Sequence, residues 1–107
     1  LNSEWWSMPS AEQLSEDLFG DQDGDHATAS EVSIAAAAYP QDLKSAELEP
    51  DVPPTSRLFG PADFRQRYPE GRLGSHPELA SVEAGERIAE AVAADLAEEY
   101  QQFLTEE

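Results

Sequence analysis

Asp21-Gln-Asp-Gly-Asp-His-Ala-Thr-Ala-Ser-Glu-Val-Ser-Ile-Ala-Ala-Ala-Ala-Tyr39 sets an acidic, glycine-containing turn directly before an almost wholly apolar run that Pro40 ends. The run reads as a helix over about 27–39, with Thr28 or Ser30 able to cap it. No charge follows Glu31 until Asp42. A helix that is apolar nearly all round is a buried helix, so this one is expected at the centre of the chain. Glu31 falls on the side of Ile34, Ala35 and Ala38 by three- and four-residue spacing. An ionised carboxylate in such a place needs donors, a cation or a metal. Either the helix N-terminal amides satisfy it, or it contacts a metal or a substrate. His26, just upstream, is either an ordinary loop residue or is aimed at the same space. The Asp-x-Asp-x-Asp spacing of Asp21, Asp23 and Asp25 invites comparison with a calcium loop. The register fails: His26 falls where the sharp-turn glycine belongs, and Val32 where the bidentate glutamate belongs. The turn is therefore expected to be a solvated acidic one.

Outward from this stretch, Trp5-Trp6 precedes a helix expected from about Ser10 to Phe19, with Ser10 as its cap, Leu14, Leu18 and Phe19 on one face, and Gly20 as its stop. One tryptophan is expected in the core, the other over a neighbouring surface or in a pocket wall. Residues 40–60, which carry Pro40, Pro50, Pro53 and Pro54, read as an extended loop or arm. A short helix is expected over about 61–68, ended by Pro69, and Ser75-His76-Pro77 reads as a turn. The last helix is expected over about 82–104, capped by Ser81, with Ile88, Val92, Leu96, Tyr100 and Phe103 as its apolar stripe. Gly85 inside it costs about 1 kcal/mol against alanine, which points to close packing against another backbone.

The chain has 107 residues, a formal net charge of −17, one lysine (Lys44) and no cysteine. Such a field repels nucleic acid and anionic membranes, so neither is an expected partner. Without cysteine there is neither a disulfide framework nor a thiolate nucleophile. No apolar run in this stretch approaches a membrane span and none reads as a basic-then-apolar leader, so the cytoplasm is the expected compartment. Alanine dominates the apolar content, so a core made by this chain alone is thin. Its opening on Leu1 suggests a processed chain or a part of something larger. Acidic, aromatic-poor composition fits disorder, whereas acids spread over helices with almost no lysine fit a folded protein adapted to high salt, where screening removes most self-repulsion.

Gly24-Asp-His-Ala-Thr-Ala-Ser-Glu-Val-Ser33, followed by a small-residue helix and Tyr39-Pro40, resembles the His-Ala/Gly, three residues, Glu-Thr-Ser segment of the creatininase (creatinine amidohydrolase) family. Gly71-Arg-Leu-Gly-Ser-His-Pro-Glu-Leu-Ala-Ser81 and Glu83-Ala-Gly-Glu86 resemble that family's run into its last helix. Trp5-Trp6 falls where the family ends a strand and places an aromatic at the pocket. The resemblance covers essentially this whole chain but only the C-terminal portion of the family's length. Val32 stands where threonine is usual, and Ala27 resembles the branch that is not specific for creatinine.

The resemblance implies an α/β fold, an α/β/α sandwich in the complete protein, of which this portion supplies mostly helices and long loops. It implies a hexameric homo-oligomer that hydrolyses an amide C–N bond, cyclic ones included, with two divalent metal ions per active site. Zn, Mn and Fe all suit mixed histidine and carboxylate ligation. By position, His26 resembles the family's catalytic histidine, Glu31 its metal-site glutamate, Trp6 its substrate-wall aromatic, and Asp23 a substrate contact. The family's Glu-x-His ligands, bridging Asp and Asn-Gly-His motif have no match here. The implied partner is thus an N-terminal portion of the same enzyme, and this chain alone is expected to be inactive. The competing expectation is a non-enzymatic, acidic helical interaction module.

Overall fold

Pro9 opens the first helix, α1 (Pro9–Leu18), because a residue without an N–H and with φ already fixed suits the first helical position. Met8 is therefore its N-cap, and Ser10 is not. The Ser10 amide and hydroxyl instead donate to Asp95, at 2.9 and 2.8 Å, tying α1 to the last helix. Phe19 and the left-handed Gly20 end α1. The computed structural model describes residues 1–45, 47–48, 57 and 60–106.

The second helix, α2 (Ala29–Ala38), starts two residues later than the sequence pattern suggests. Ala27 lies in the left-handed region (φ 51°), which breaks helical geometry and leaves Thr28 as the N-cap. Thr28 and Glu31 form a reciprocal capping box: the Glu31 amide donates to Thr28 Oγ1 at 3.0 Å, and the Thr28 amide to Glu31 Oε2 at 3.0 Å. Tyr39 and Pro40 end α2.

A 3-10 turn, Pro40–Asp42, follows. Of the arm expected over 40–60, residues 46, 49–56, 58 and 59 lie outside the described residues. Helix α3 (Pro61–Arg67) ends at Tyr68 and carries an Arg67–Asp63 ion pair one turn apart. The last helix, α4 (Val82–Thr105), is capped by Ser81, whose hydroxyl accepts from the Ala84 amide at 3.0 Å. At 24 residues it spans about 36 Å.

α4 is the spine on which both α2 and α1 pack. Ile88, fully buried, meets Ala29, Ala84 and Phe19, with Trp5, Leu14, Leu18, Ile34 and Val92 around them. The α2–α4 crossing is tight because Gly85 has no side chain. A Cβ there would run into the Ser33 carbonyl and sit 2.9 Å from Ala37 Cβ. Ser33, fully buried, donates to Ala29 O at 2.6 Å and accepts from the Ser81 amide at 3.1 Å, so the same residue ties the start of α4 to α2.

Two expectations give way here. α2 is buried only along Ala29, Ser30, Ser33 and Ala36, the face that α4 covers, while Ala35 and Ala38 are exposed. The α4 stripe is likewise buried at Ile88 but open at Leu96, Tyr100 and Phe103, which lie past Asp95, the residue at which Ser10 of α1 is tied to α4. No strand occurs among the described residues, and Trp5–Ser7 forms a 3-10 turn rather than a strand end. Among the described residues no helix is long and apolar enough to cross a membrane.

Candidate active-site cleft

The turn between α1 and α2 is pinned from two sides. On one side the loop at 71–76 holds it: the Asp25 amide donates to Leu73 O at 3.1 Å, and the His76 amide to Gln22 O at 2.9 Å. Gly24 (φ 74°) lies against this loop, where a Cβ would stand 2.5 Å from the Gly74 carbonyl carbon and 2.6 Å from Ser75 Cα. Only glycine fits both the backbone sign and the space. On the other side, Asp23 reaches the first turn of α2, accepting from the Ser30 amide at 2.7 Å and from the Ser30 hydroxyl at 2.8 Å.

Above the turn lies a cleft of about 540 Å³ between the Trp5–Ser7 segment, the outer face of α1 and the start of α2. His26, Glu31, Trp6 and Asp23, separated in sequence, all line it. Trp5 and Trp6 meet edge to face, with centroids 6.0 Å apart and planes at 86°. Trp5 packs against the core, and Trp6 is 56% exposed. One tryptophan is thus half-buried and the other exposed, and both line the cleft. His26 is exposed, and its imidazole makes no hydrogen bond among the described residues. Glu31 is exposed too, with Oε2 engaged in the capping box and Oε1 without a hydrogen bond among the described residues. Both readings of Glu31 therefore have a physical counterpart: one oxygen closes the helix end, and the other is open to the cleft.

Glu12 and Glu16, one turn apart on α1, also line the cleft. Their spacing on the face opposite Leu14 and Leu18 is the one signal in the sequence that could have found them. Together with Asp23, Asp25 and Glu31 they make the wall acidic, with no lysine or arginine in the lining. This field favours neutral or cationic occupants over anions.

Beneath the turn, Arg72 is buried and donates to Glu70 at 2.8 Å, with Glu78 3.9 Å away. His76 Nδ1 lies 2.9 Å from Glu78 Oε1. Partial burial pushes the Glu78 carboxyl up, but the His76 hydrogen bond, its backbone hydrogen bond and the charges of His76 and Arg72 outweigh this and hold it below its ordinary value. His76 is thus part of the support under the turn and lies outside the cleft lining.

As a metal site the cleft is incomplete. Among the described residues no three histidine or acidic side chains converge as a metal would require. A hydrolytic metal centre takes about three protein ligands per ion, so Glu31 and His26 alone do not fit one, and no step through a metal follows from these residues.

The model of the family described as creatinine amidohydrolase matches residues 2–100. No curated protein matches the chain.

Proposed function

The chain belongs to the creatininase family, and from that membership we propose that it forms one wall of an amidohydrolase active site that cleaves an amide C–N bond. The observation that carries the proposal is the convergence of His26, Glu31, Trp6 and Asp23 on one cleft. Imidazole both accepts and donates a proton near neutral pH. His26, exposed and in the cleft lining with a ring that makes no hydrogen bond among the described residues, is the proton carrier: it takes a proton from the attacking water or delivers one to the leaving nitrogen. Trp6 offers a flat apolar face against which an amide or small ring can lie. Asp23 sits at the base of the same wall, its carboxylate held by Ser30.

Metal dependence is general in the family, with Zn, Mn or Fe as the candidates and two ions as the count that the sequence resemblance implies. Glu31, with Oε1 outside the capping box, is the residue that this chain would bring to such a site. The remaining ligands come from an N-terminal portion of the same enzyme, which completes the α/β/α sandwich. Assembly is then homo-oligomeric, a hexamer by the same resemblance. The acidic lining supports a neutral or cationic small-molecule amide as substrate.

The test is an assay of the complete protein against a panel of cyclic and linear amides, following amine release with and without added Zn, Mn or Fe. Hydrolysis of at least one amide, lost on chelation and restored by metal, is expected. No hydrolysis across the panel with metal present would overturn the assignment.

A further inference from the structure

A proton carrier works only if its ring is held in place, yet the His26 imidazole has no hydrogen bond of its own among the described residues. Its position is therefore set by the turn that bears it. That turn is closed across seven positions by the pair of hydrogen bonds between Asp23 and Ser30.

Proton accounting gives this closure a direction. An ionised carboxylate only accepts, and a serine hydroxyl has one proton. Ser30 gives its hydroxyl proton to Asp23 Oδ2 at 2.8 Å. The 2.8 Å contact between Thr28 Oγ1 and Ser30 Oγ must then run from Thr28 to Ser30. Thr28 Oγ1 also accepts from the Glu31 amide, and since its one proton goes to Ser30 at 2.8 Å rather than to Glu31 Oε2 at 3.4 Å, the Thr28 amide is the donor to Glu31 Oε2. The result is one directed chain, Thr28 to Ser30 to Asp23, in which Ser30 is 3% exposed and Thr28 9%. Both the His26 turn and the Glu31 carboxylate hang from it. The turn also contains Ala27 at φ 51°, a conformation that an alanine holds only when its surroundings impose it.

We propose that Ser30, through Asp23, is a positioning residue for His26: its amide and hydroxyl close the 23–30 turn and so fix where the imidazole stands in the cleft. This rests on the acid/base role proposed above for His26. The catalytic histidine is then held by a serine two positions into the following helix, and the Asp23 carboxylate, occupied on both oxygens, serves the turn.

A His26→Gln spectrum of the complete protein identifies the His26 ring signals by their loss and keeps the His76–Glu78 support beneath the turn. In the parent a single narrow set of His26 ring signals is expected, together with slow exchange of the Asp25 amide, which is bonded to Leu73 O. Ser30→Ala should move the ring signals toward those of a free histidine. It should speed Asp25 amide exchange by about tenfold or more and leave amide protection around Ile88 in α4 intact. Asp23→Asn, which removes the acceptor for the Ser30 hydroxyl and keeps one for the amide, should move the same signals in the same direction by less. Unchanged ring signals and Asp25 exchange in Ser30→Ala would overturn the proposal. So would a parallel loss of protection in α4, which would make Ser30 a residue of general stability. The acid/base role itself falls separately, if His26→Ala leaves turnover of the complete enzyme unchanged.

Discussion

Replacing Gly85 by alanine tests the packing that holds the cleft together. In an exposed helix the change would stabilise by about 1 kcal/mol, because glycine is the poorer helix former. Here the new methyl would penetrate the Ser33 carbonyl and press on Ala37 Cβ from 2.9 Å. The nearer obstacle is backbone and has no rotamer to escape into, so α2 and α4 must separate. Separation opens the contacts of Ile88 with Ala29 and loosens the hydrogen bond from the Ser81 amide to Ser33. Overpacking costs about 1–3 kcal/mol, and a backbone obstacle puts this site at the upper end. Subtracting the propensity gain leaves a net loss of about 2 kcal/mol. For a domain of this size that lowers the melting temperature by roughly 10 °C, readable from the helical circular-dichroism signal. The double variant Gly85→Ala/Ala37→Gly should not recover the loss, since the Ser33 carbonyl remains. A melting temperature at or above that of the parent would refute the reasoning.

Glu31→Gln separates helix capping from chemistry. Glutamine still accepts from the Thr28 amide, so the melting temperature should stay within a few degrees while turnover or metal occupancy in the complete enzyme falls; unchanged turnover and occupancy would reduce Glu31 to a cap. Ala27→Gly relieves a left-handed alanine and should stabilise by up to about 1 kcal/mol, whereas Ala27→Val should destabilise, both read by urea denaturation. The Glu78 carboxyl is held below its ordinary value. Its contribution is thus complete above the unfolded-state value, near pH 4.3, and is lost as the pH falls through the folded value. Glu78→Gln should accordingly flatten the decline of melting temperature with acid below about pH 4.5, and an unchanged decline would remove the His76–Glu78 pair from the account.

The helices were legible from local chemistry: Pro9, Pro40, Pro61 and Ser81 each sit at an element boundary. The close backbone approach at Gly85 was legible because a glycine inside a long amphipathic helix needs a reason. Ser10 misled because a good capping residue followed a proline that had already begun the helix, and Asp95, 85 positions away, took its hydroxyl. The α2 start misled because the sequence does not announce a left-handed Ala27. Apolarity around α2 and along the α4 stripe predicted burial that the described residues supply on one face only. In the cleft, His26 and Glu31 stood out by pattern. The Ser30–Asp23 closure did not, since a serine hydroxyl gains meaning only when a carboxylate seven positions away folds back onto it.

The acid/base assignment of His26 is tested most directly by the turnover of His26→Ala in the complete, metal-loaded enzyme, compared with the parent on the best amide of the panel. A fall of roughly 10²-fold or more is expected, the usual scale for a general acid/base group, with the melting temperature unchanged because the ring is exposed and makes no hydrogen bond among the described residues. Turnover equal to that of the parent would contradict the assignment.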